Sequence, residues 1–316
     1  MTAPPQGERD FIATALTPLA TSAAARGLAD DGAVWAPPLG RELVFTHDIL
    51  ACGVHYLGSD PPSDIAWKLL AVNLSDLAAM GARPAGVLMG LGLSAAEDEA
   101  WRAAFTAGLG RALAHFEVAL WGGDTVTGLD RAVLGLTAIG DVLPGQALGR
   151  GGAQSGDDIW VSGTIGDAGL GLAMAQGQLP VDKALLNRFR RPTPRLALGR
   201  ALAGVATACM DVSDGLLIDA DRLARASGVQ LAIDLDAVPV SAGPWTITRA
   251  DRLARATAGD DYELLFTAPA GSDVAALAVA TKTRLTRIGR VVPGLGVQAL
   301  AGGEDATPAR LGWEHR

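Results

Sequence analysis

Six aspartates stand where apolar runs of the sequence end or are interrupted, each close to a Gly, Ser or Thr. They are Asp31, Asp48, Asp76, Asp124, Asp211 and Asp214. Oxygen ligands of this kind suit Mg²⁺, which commonly bridges to substrate phosphates, whereas zinc prefers clusters of His and Cys that this sequence lacks. The pattern predicts a magnesium site for a phosphate chain. Taken singly, such an aspartate is commonly a helix cap or turn former, so the prediction depends on their co-occurrence.

No ordinary phosphate-binding loop accompanies these acids. The sequence has no GxxxxGK[ST] motif, and the glycine-rich stretch GTIGDAG at 163–169 lacks the lysine that such a loop uses. We therefore expect metal ions, rather than a lysine, to neutralise the phosphate charge.

One predicted helix positions Asp76. The stretch SDIAWKLLAVNLSDLAAMGARP at 63–84 starts with Ser63 and Asp64, is apolar on nearly every face, and stops at Gly81. A helix of this kind is buried, so we expect Asp76 to be a buried carboxylate that requires a metal ion or a distant positive charge. A helix cap or a structural ion pair at Asp76 is the open alternative.

Composition limits the class of protein. The 316 residues leave room for about two domains, and a net charge of -8 argues against a nucleic-acid or anionic-membrane partner. Cys52 and Cys209 have neither zinc-site nor disulfide-framework spacing, which fits a reducing compartment. The first residues do not resemble a signal peptide, and no apolar stretch approaches the roughly 20 residues of a membrane span. We therefore expect a cytoplasmic protein.

The rest of the chain alternates predicted strands and helices, which favours an α/β fold. In the first half we predict helices at 8–16 and 97–116, and strands at 42–46, 86–93, 118–121 and 131–141. In the second half we predict strands at 158–162, 209–212, 231–235, 263–267 and 287–292, and helices at 195–208 and 216–227. Strand ends are expected to carry Thr46, Asp48 and Asp124, and a domain boundary is expected near 145–155.

Five motifs together resemble the thiamine-monophosphate kinases of the aminoimidazole ribonucleotide synthetase superfamily. They are THDILACGVHY at 46–56, NLSDLAAMGARP at 73–84, GGDT at 122–125, DVSDGL at 211–216 and DDYEL at 260–264. The resemblance implies an α/β (α+β), two-domain PurM-like fold, with an N-terminal dimerisation domain at 1–148, a C-terminal domain at 149–316, and a homodimer. It also implies ATP-dependent phosphorylation of thiamine monophosphate to the diphosphate with several Mg²⁺ ions and no covalent enzyme intermediate.

The resemblance further assigns roles to individual residues. The implied metal ligands are Asp31, Thr46, Asp48, Asp76, Asp124, Asp211 and Asp214, of which Asp48, Asp76 and Asp211 would be catalytic. ATP would be contacted by Gly123, Asp124, Arg150 and Ser213, and thiamine monophosphate by His55, Asp260 and Trp313. Two positions depart from the family pattern: His47 replaces a second hydroxyl residue, and Asp260 replaces a glutamate.

Alternative interpretations remain for three residues and for the function. Arg150 fits a solvated loop residue, His55 a structural histidine, and Trp313 either an anchor at the edge of the core or a ring that stacks on a thiazolium cation. Another ATP-using member of the superfamily, or a non-enzymatic protein that binds nucleotide and Mg²⁺, is the alternative function.

Overall fold

The computed structural model describes residues 7–241 and 247–314 and contains two compact units. The first unit is the described part of Met1–Leu77 together with Pro84–Val142, and the second is Ala78–Arg83 with the described part of Leu143–Arg316. Each unit is built around one β-sheet.

In its described residues, the first unit combines three α-helices with four strands. The helices are α1 (Glu8–Phe11), α2 (Pro62–Ala79) and α3 (Glu99–Phe116), and the strands are β1 (Glu42–Ala51), β2 (Arg83–Ser94), β3 (Ala119–Leu129) and β4 (Val133–Val142). A π-helical turn at Ile12–Leu16 follows α1, so the helix predicted at 8–16 is α-helical only in its first turn. The sheet order is β1-β4-β2-β3, with β1 antiparallel to β4 and β2 parallel to β3.

Helix α2 is buried on nearly all faces, as its apolar composition predicts. Leu69, Leu70, Leu74 and Leu77 have no exposed surface. The predicted stop is confirmed because Gly81 adopts a left-handed φ of 70° shortly after the last helical residue. The helix predicted at 97–116 is α3, and it starts after Asp98, whose carboxylate accepts a hydrogen bond from the Trp101 N–H at 2.8 Å.

Two strands extend further than predicted, so three candidate residues do not end strands. Thr46 and Asp48 lie in the middle of β1, which keeps its pairing with β4 as far as Ala51. Asp124 lies within β3, paired with Gly90 of β2. The prediction of strand ends at these positions is wrong, because cross-strand backbone pairing continues past all three residues.

The second unit has six helices and seven strands in its described residues. The helices are α4 (Asp167–Ala175), α5 (Lys183–Arg190), α6 (Leu196–Leu202), α7 (Leu216–Ser227), α8 (Arg249–Ala256) and α9 (Val274–Thr281). The strands are β5 (Asp158–Ser162), β6 (Ala208–Asp211), β7 (Gln230–Asp234), β8 (Leu264–Ala268), β9 (Leu285–Val292), β10 (Gly296–Ala301) and β11 (Glu304–Asp305). The sheet order is β11-β10-β7-β9-β5-β8-β6, mostly antiparallel, with a parallel pair between β10 and β7.

The predictions for this unit were partly right. β5 and α7 have the predicted bounds, whereas the long helix predicted at 195–208 is wrong, since α6 ends at Leu202 and Gly204 has a positive φ of 77°. The helices α5, α8 and α9 and the strands β10 and β11 were not predicted. Within the described ranges, no helix is long and apolar enough to span a membrane.

Candidate active site

Thr46, Asp48 and Asp76 lie where β1 passes α2. The Thr46 hydroxyl donates a hydrogen bond to Oδ2 of Asp76, and the N–H of Asp48 donates to Oδ1 of Asn73 at 2.9 Å. Thr46 and Asp48 are two residues apart on one strand, so their side chains share a face of the sheet. β1 and α2 thus bring two expected metal ligands into contact and place a third on the same face.

Asp76 is half-buried, so the prediction of a fully buried carboxylate is wrong. The reason is the position of β1, which is an edge strand of the sheet and leaves its outer side uncovered. The carboxylate therefore keeps access to solvent and to a diffusing ligand, while the Thr46 hydroxyl supplies a hydrogen bond.

The two histidines near this group have local partners. His47 points to the opposite face of β1 from Thr46, and its Nδ1 lies 2.9 Å from Oγ1 of Thr137. The departure from the family pattern at His47 therefore does not alter the contact between Thr46 and Asp76. His55 is half-buried, and its Nδ1 accepts the N–H of Ala51 at 3.1 Å. This bond holds the His55 ring in one orientation, as expected of a structural histidine.

Asp31, Gly123 and Asp124 line a cavity of about 570 Å³ in the first unit. Both carboxylates are exposed, and Trp35 and Trp121 line the same cavity with ring centroids 5.1 Å apart. A cavity that combines carboxylates with aromatic rings suits a ligand that has both a charged part and a flat apolar part.

Gly123 also has a packing role. A Cβ at this position would lie 1.9 Å from the carbonyl oxygen of Met89, so only glycine allows β2 and β3 to approach this closely. The N–H of Thr125 donates to Oδ1 of Asp124 at 2.9 Å. The GGDT motif therefore serves strand pairing as well as its expected contact with ATP.

In the second unit, three candidate residues, Asp211, Ser213 and Asp214, lie at the end of β6 and in the loop that follows it. Asp211 is buried at the end of β6, and Oδ2 of Asp219 accepts the N–H groups of Ser213 and Asp214, both at 3.0 Å. Arg222 donates to Oδ2 of Asp214 at 2.6 Å and to Oδ1 of Asp219 at 2.8 Å. Burial raises the pKa of Asp219 to about 6, although the N–H of Asp214 and the charge of Arg222 act in the opposite direction.

Asp219 and Arg222 are residues that the sequence analysis missed. They hold the backbone of the loop and pair with the Asp214 carboxylate, so Asp214 already has a cationic partner in this structure. The available signal was an acid in the first turn of α7 among buried apolar residues, a position where a charge requires partners.

Asp260 lies in a backbone conformation that explains its residue type. Its φ is +70°, its N–H donates to the carbonyl of Ser213 at 2.8 Å, and its Oδ1 accepts from the Tyr262 hydroxyl at 3.3 Å. Asp is one of the few non-glycine residues enriched in the left-handed region, and the longer Glu is not. The aspartate that replaces the family's glutamate therefore suits the local backbone.

Arg150 and Trp313 are both exposed. The backbone oxygen of Arg150 accepts from Oγ of Ser227 at 2.9 Å. Trp313 exposes 51% of its surface, its N–H donates to the carbonyl of Asp214 at 2.9 Å, and Cζ of Arg310 lies 5.9 Å from its ring centroid. The backbone of the tail is thus held against the loop after β6, while the indole ring is not packed into the core.

The expected metal ligands do not form a ready cation site. Among residues 7–241 and 247–314, no three His, Cys, Asp or Glu side chains are arranged to hold a metal ion. The first unit carries Asp31, Thr46, Asp48, Asp76 and Asp124, and the second carries Asp211 and Asp214. All are hard oxygen donors, the type that Mg²⁺ uses together with phosphate oxygens and water.

Comparisons with known proteins identify the family. The profile described as AIR synthase related protein, N-terminal domain, matches residues 29–142, and the C-terminal domain profile matches residues 154–300. A thiamine-monophosphate kinase of Caulobacter vibrioides is 40% identical over 323 aligned residues, which cover 99% of this chain and 92% of that protein.

Two solved structures resemble the chain in fold and sequence. The thiamine-monophosphate kinase of Stenotrophomonas maltophilia is 44% identical, with a TM-score of 0.80 and coverage of 88% of this chain and 91% of that chain. A structure described as AaThiL complexed with AMPPCP and TMP is 30% identical, with a TM-score of 0.76 and coverage of 98% and 97%. Since both the sequence and the two-unit α/β fold match over nearly the whole length, this chain belongs to the thiamine-monophosphate kinases of the AIR synthase related family.

Proposed function

We propose that this protein transfers the terminal phosphoryl group of ATP to thiamine monophosphate, giving thiamine diphosphate and ADP. The observation that carries the proposal is 40% identity with a thiamine-monophosphate kinase over 99% of the chain. A relative whose structure matches 98% of the chain was solved with two ligands. They are AMPPCP, which is an ATP analogue, and TMP, which is the acceptor in this family.

The chemistry requires little from the protein beyond positioning. The acceptor is a phosphate that is mostly ionised near pH 7, so it needs no strong general base. The barrier arises instead from bringing two anions together and from charge that develops on the transferred group. Residues that orient both phosphates, together with Mg²⁺ that offsets their charge, are therefore sufficient for catalysis.

The oxygen donors of both units fit Mg²⁺. We infer that several Mg²⁺ ions are bound, with ligands from Asp31, Thr46, Asp48, Asp76 and Asp124 in the first unit and from Asp211 and Asp214 in the second, and that Asp48, Asp76 and Asp211 are the catalytic ligands. The contact between Thr46 and Asp76 supports this, since it places a hydroxyl and a carboxylate oxygen together at a half-buried position. Bound Mg²⁺ supplies positive charge to the phosphate oxygens.

Other residues orient the two substrates in this proposal. Arg150 and Ser213 donate hydrogen bonds to phosphate oxygens of ATP, and Gly123 with Asp124 borders the nucleotide. Asp260 and His55 bind thiamine monophosphate by hydrogen bonds. Trp313 stacks on the thiazolium cation, and its 51% exposure supports a ring that is accessible to a ligand.

We also propose that the chain acts as a homodimer in the cytoplasm, the compartment that supplies ATP. One sheet face of the first unit exposes large apolar side chains from all four strands: Leu43 and Phe45 of β1, Leu88 of β2, Val126 of β3 and Val133 of β4. Exposed patches of this kind commonly mark interfaces. The proposed domains are 1–148 for dimerisation and metal binding and 149–316 for the C-terminal half.

An acceptor comparison tests the function. The purified protein is incubated with ATP and Mg²⁺ and with either thiamine monophosphate or thiamine, and the products are separated by chromatography. We expect thiamine diphosphate and ADP in equal amounts from thiamine monophosphate, and no product from thiamine, which offers a hydroxyl in place of a phosphate. Phosphorylation of thiamine, or ADP without thiamine diphosphate, would contradict the proposal.

A further inference from the structure

The segment Asp260–Asp261–Tyr262 has an unusual backbone. Asp260 and Tyr262 both adopt left-handed conformations, with φ of +70° and +50°, on either side of Asp261. For residues with a side chain this region is disfavoured, and such strain persists only where surrounding contacts enforce it. Two strained residues flanking one residue indicate that specific contacts hold the segment.

Part of the restraint comes from the loop after β6. The N–H of Asp260 donates to the Ser213 carbonyl and the N–H of Tyr262 to the Val212 carbonyl, both at 2.8 Å. The N–H of Val212 in turn donates to the carbonyl of Glu263 at 2.8 Å. These bonds fix the separation between the two stretches of backbone.

A buried charged group lies directly after the segment. Glu263 has no exposed surface, and its carboxylate accepts from Nε and Nη2 of Arg195 at 2.6 and 2.5 Å, from Nη2 of Arg188 at 2.7 Å and from Oγ of Ser162 at 2.5 Å. We refer to Glu263, Arg188, Arg195 and Ser162 as the Glu263 cluster. Burial lowers the pKa of Arg195, but the hydrogen bonds and charge of Glu263 outweigh this effect and raise it overall.

The backbone around the Glu263 cluster is adapted to the carboxylate. Gly163 has a φ of +58°, and a Cβ there would lie 2.1 Å from Oε1 of Glu263. The N–H of Leu264 donates to Oγ of Ser162 at 2.8 Å, which satisfies that hydroxyl as both donor and acceptor. The Glu263 carboxylate is thus enclosed on the side of Gly163 and held in one defined position.

Arg188 connects the Glu263 cluster to the strained segment. Its Nη2 donates both to Oε1 of Glu263 and to the backbone carbonyl of Asp261, the latter at 3.2 Å. That carbonyl belongs to the peptide that joins Asp261 to Tyr262, so one guanidinium restrains the backbone next to Asp260, and the Tyr262 hydroxyl in turn donates to Oδ1 of Asp260. The Asp261 carboxylate is held separately, by the N–H groups of Gly166 and Ala168 at 2.6 and 3.2 Å.

We propose that Arg188 and Arg195 act through Glu263 as positioning residues that hold Asp260 in the orientation that binds thiamine monophosphate. The inference rests on the proposed function and deepens it, because it assigns part of the acceptor affinity to residues outside the proposed substrate contacts. The Ser213 carbonyl is bonded to the segment, but its N–H is held independently by Asp219, so we expect loss of Arg188 to weaken acceptor binding more than ATP binding.

Arg188 is the residue to change, because Glu263 then keeps the two-point contact with Arg195 and its bond from Ser162. In Arg188→Gln we expect the KM for thiamine monophosphate to rise about tenfold while the KM for ATP stays within about twofold. Arg188→Lys keeps a positive charge but cannot reproduce the planar, forked donor geometry, so we expect an intermediate KM. Arg200→Gln, at an exposed position on α6, is the matched control and should leave both constants unchanged.

Calorimetric titration with thiamine monophosphate and a non-hydrolysable ATP analogue gives a readout that does not depend on turnover. We expect acceptor binding to weaken about tenfold in Arg188→Gln, with analogue binding unchanged and melting temperatures recorded on the same samples. If the wild type is active but Arg188→Gln changes only kcat or stability, the positioning role is overturned and the proposed function stands. If the wild type forms no thiamine diphosphate, both are overturned.

Discussion

At the scale of single residues, the contact between Thr46 and Asp76 joins a hydroxyl oxygen to a carboxylate at a half-buried position. The hydrogen bond fixes the two side chains relative to each other, and their partial exposure leaves them accessible to ligands. A carboxylate that holds a metal ion beside the reacting phosphates contributes more to catalysis when its position is fixed in advance.

The first prediction is that Asp76→Asn abolishes most of the activity while the fold remains. Removal of one negative ligand is expected to cost a factor of about a thousand in kcat, since a fixed electrostatic group contributes roughly 3 to 4 kcal/mol. The measurement is steady-state kinetics at several Mg²⁺ concentrations. Asp130→Asn, at an exposed position in the same unit, is the control and should retain activity. Activity of Asp76→Asn within tenfold of the wild type would refute the metal role.

The second prediction concerns Trp313, whose exposure of 51% disfavours a core anchor. Trp313→Ala should raise the KM for thiamine monophosphate by a factor of about 2 to 30, since cation–π contacts are worth roughly 0.5 to 2 kcal/mol. The melting temperature and the KM for ATP should change little, and Trp313→Phe should recover part of the loss. An unchanged acceptor KM, or a large fall in melting temperature, would remove Trp313 from the site.

Sequence reasoning located the acids but not their partners. Asp211, Asp214 and Asp260 stand in recognisable motifs, whereas the bond between Asn73 and Asp48 joins residues far apart in the chain. Long-range contacts of this kind leave no local pattern. The same is true of the arginines around Glu263, which lie 68 to 75 positions away from it in the sequence.

At the scale of elements, the start of helix α4 packs against a buried acid from another segment, Asp261. The Asp261 carboxylate has no exposed surface and accepts the N–H groups of Gly166 and Ala168 at the start of the helix. Burial raises the pKa of Asp261 to about 8, against the opposing effects of these hydrogen bonds and of Arg188. Because burial keeps the Asp261 carboxyl neutral in the folded protein, the free energy of unfolding depends on pH.

The third prediction follows from the sign of that linkage. Between about pH 4 and pH 8 the unfolded chain loses the Asp261 proton while the native state keeps it, so stability falls as pH rises. In Asp261→Asn this contribution is absent, and the free energy of unfolding of the variant relative to wild type should rise by up to about 1.4 kcal/mol per pH unit.

Urea unfolding at pH 5, 6, 7 and 8 measures this difference. Asp219 contributes equally to both proteins and cancels, and Asp130→Asn serves as an exposed control that should show no such trend. Parallel stability curves for wild type and Asp261→Asn across this range would contradict the prediction.

The elements differed in how well their sequences predicted them. α7 was predicted correctly because its apolar positions follow the helical period and Gly228 adopts a left-handed conformation at its end. α5 was missed because it has only eight residues, and its start depends on the Asp182 cap, which accepts the N–H groups of Ala184 and Leu185. β1 is longer than predicted because its pairing with β4 continues to Ala51. A local sequence pattern does not reveal such cross-strand pairing.

At the scale of the whole molecule, the chain length predicts about two domains, and the alternation of strands and helices predicts an α/β fold. The family profiles end at residue 142 and resume at residue 154, and the first compact unit also ends at Val142. The glycine-rich composition between these points is typical of a connection between domains. The order of strands in each sheet, by contrast, results from long-range pairing and was not predicted.

The fourth prediction is assembly into a homodimer through the exposed sheet face of the first unit. Light scattering at micromolar concentration should give about twice the 32.3 kDa chain mass. Ile49→Asp, on the same face of β1 as Phe45, should shift the mass toward the monomer, because it places a charge in the apolar interface. Val279→Asp, an exposed apolar residue on α9, is the control and should remain dimeric. A wild-type monomer would contradict this prediction.

In direct transfer between two phosphates, the γ-phosphate of ATP passes to thiamine monophosphate without an intermediate on the protein, so its fate can be followed with a label. The protein is incubated with γ-labelled ATP, thiamine monophosphate and Mg²⁺, and the label is then quantified in the thiamine product, in inorganic phosphate and on the denatured protein. We expect the label in the terminal phosphate of thiamine diphosphate, in equal amount to ADP, with none on the protein. Label that first accumulates on the protein, or that is released only as inorganic phosphate, would contradict it.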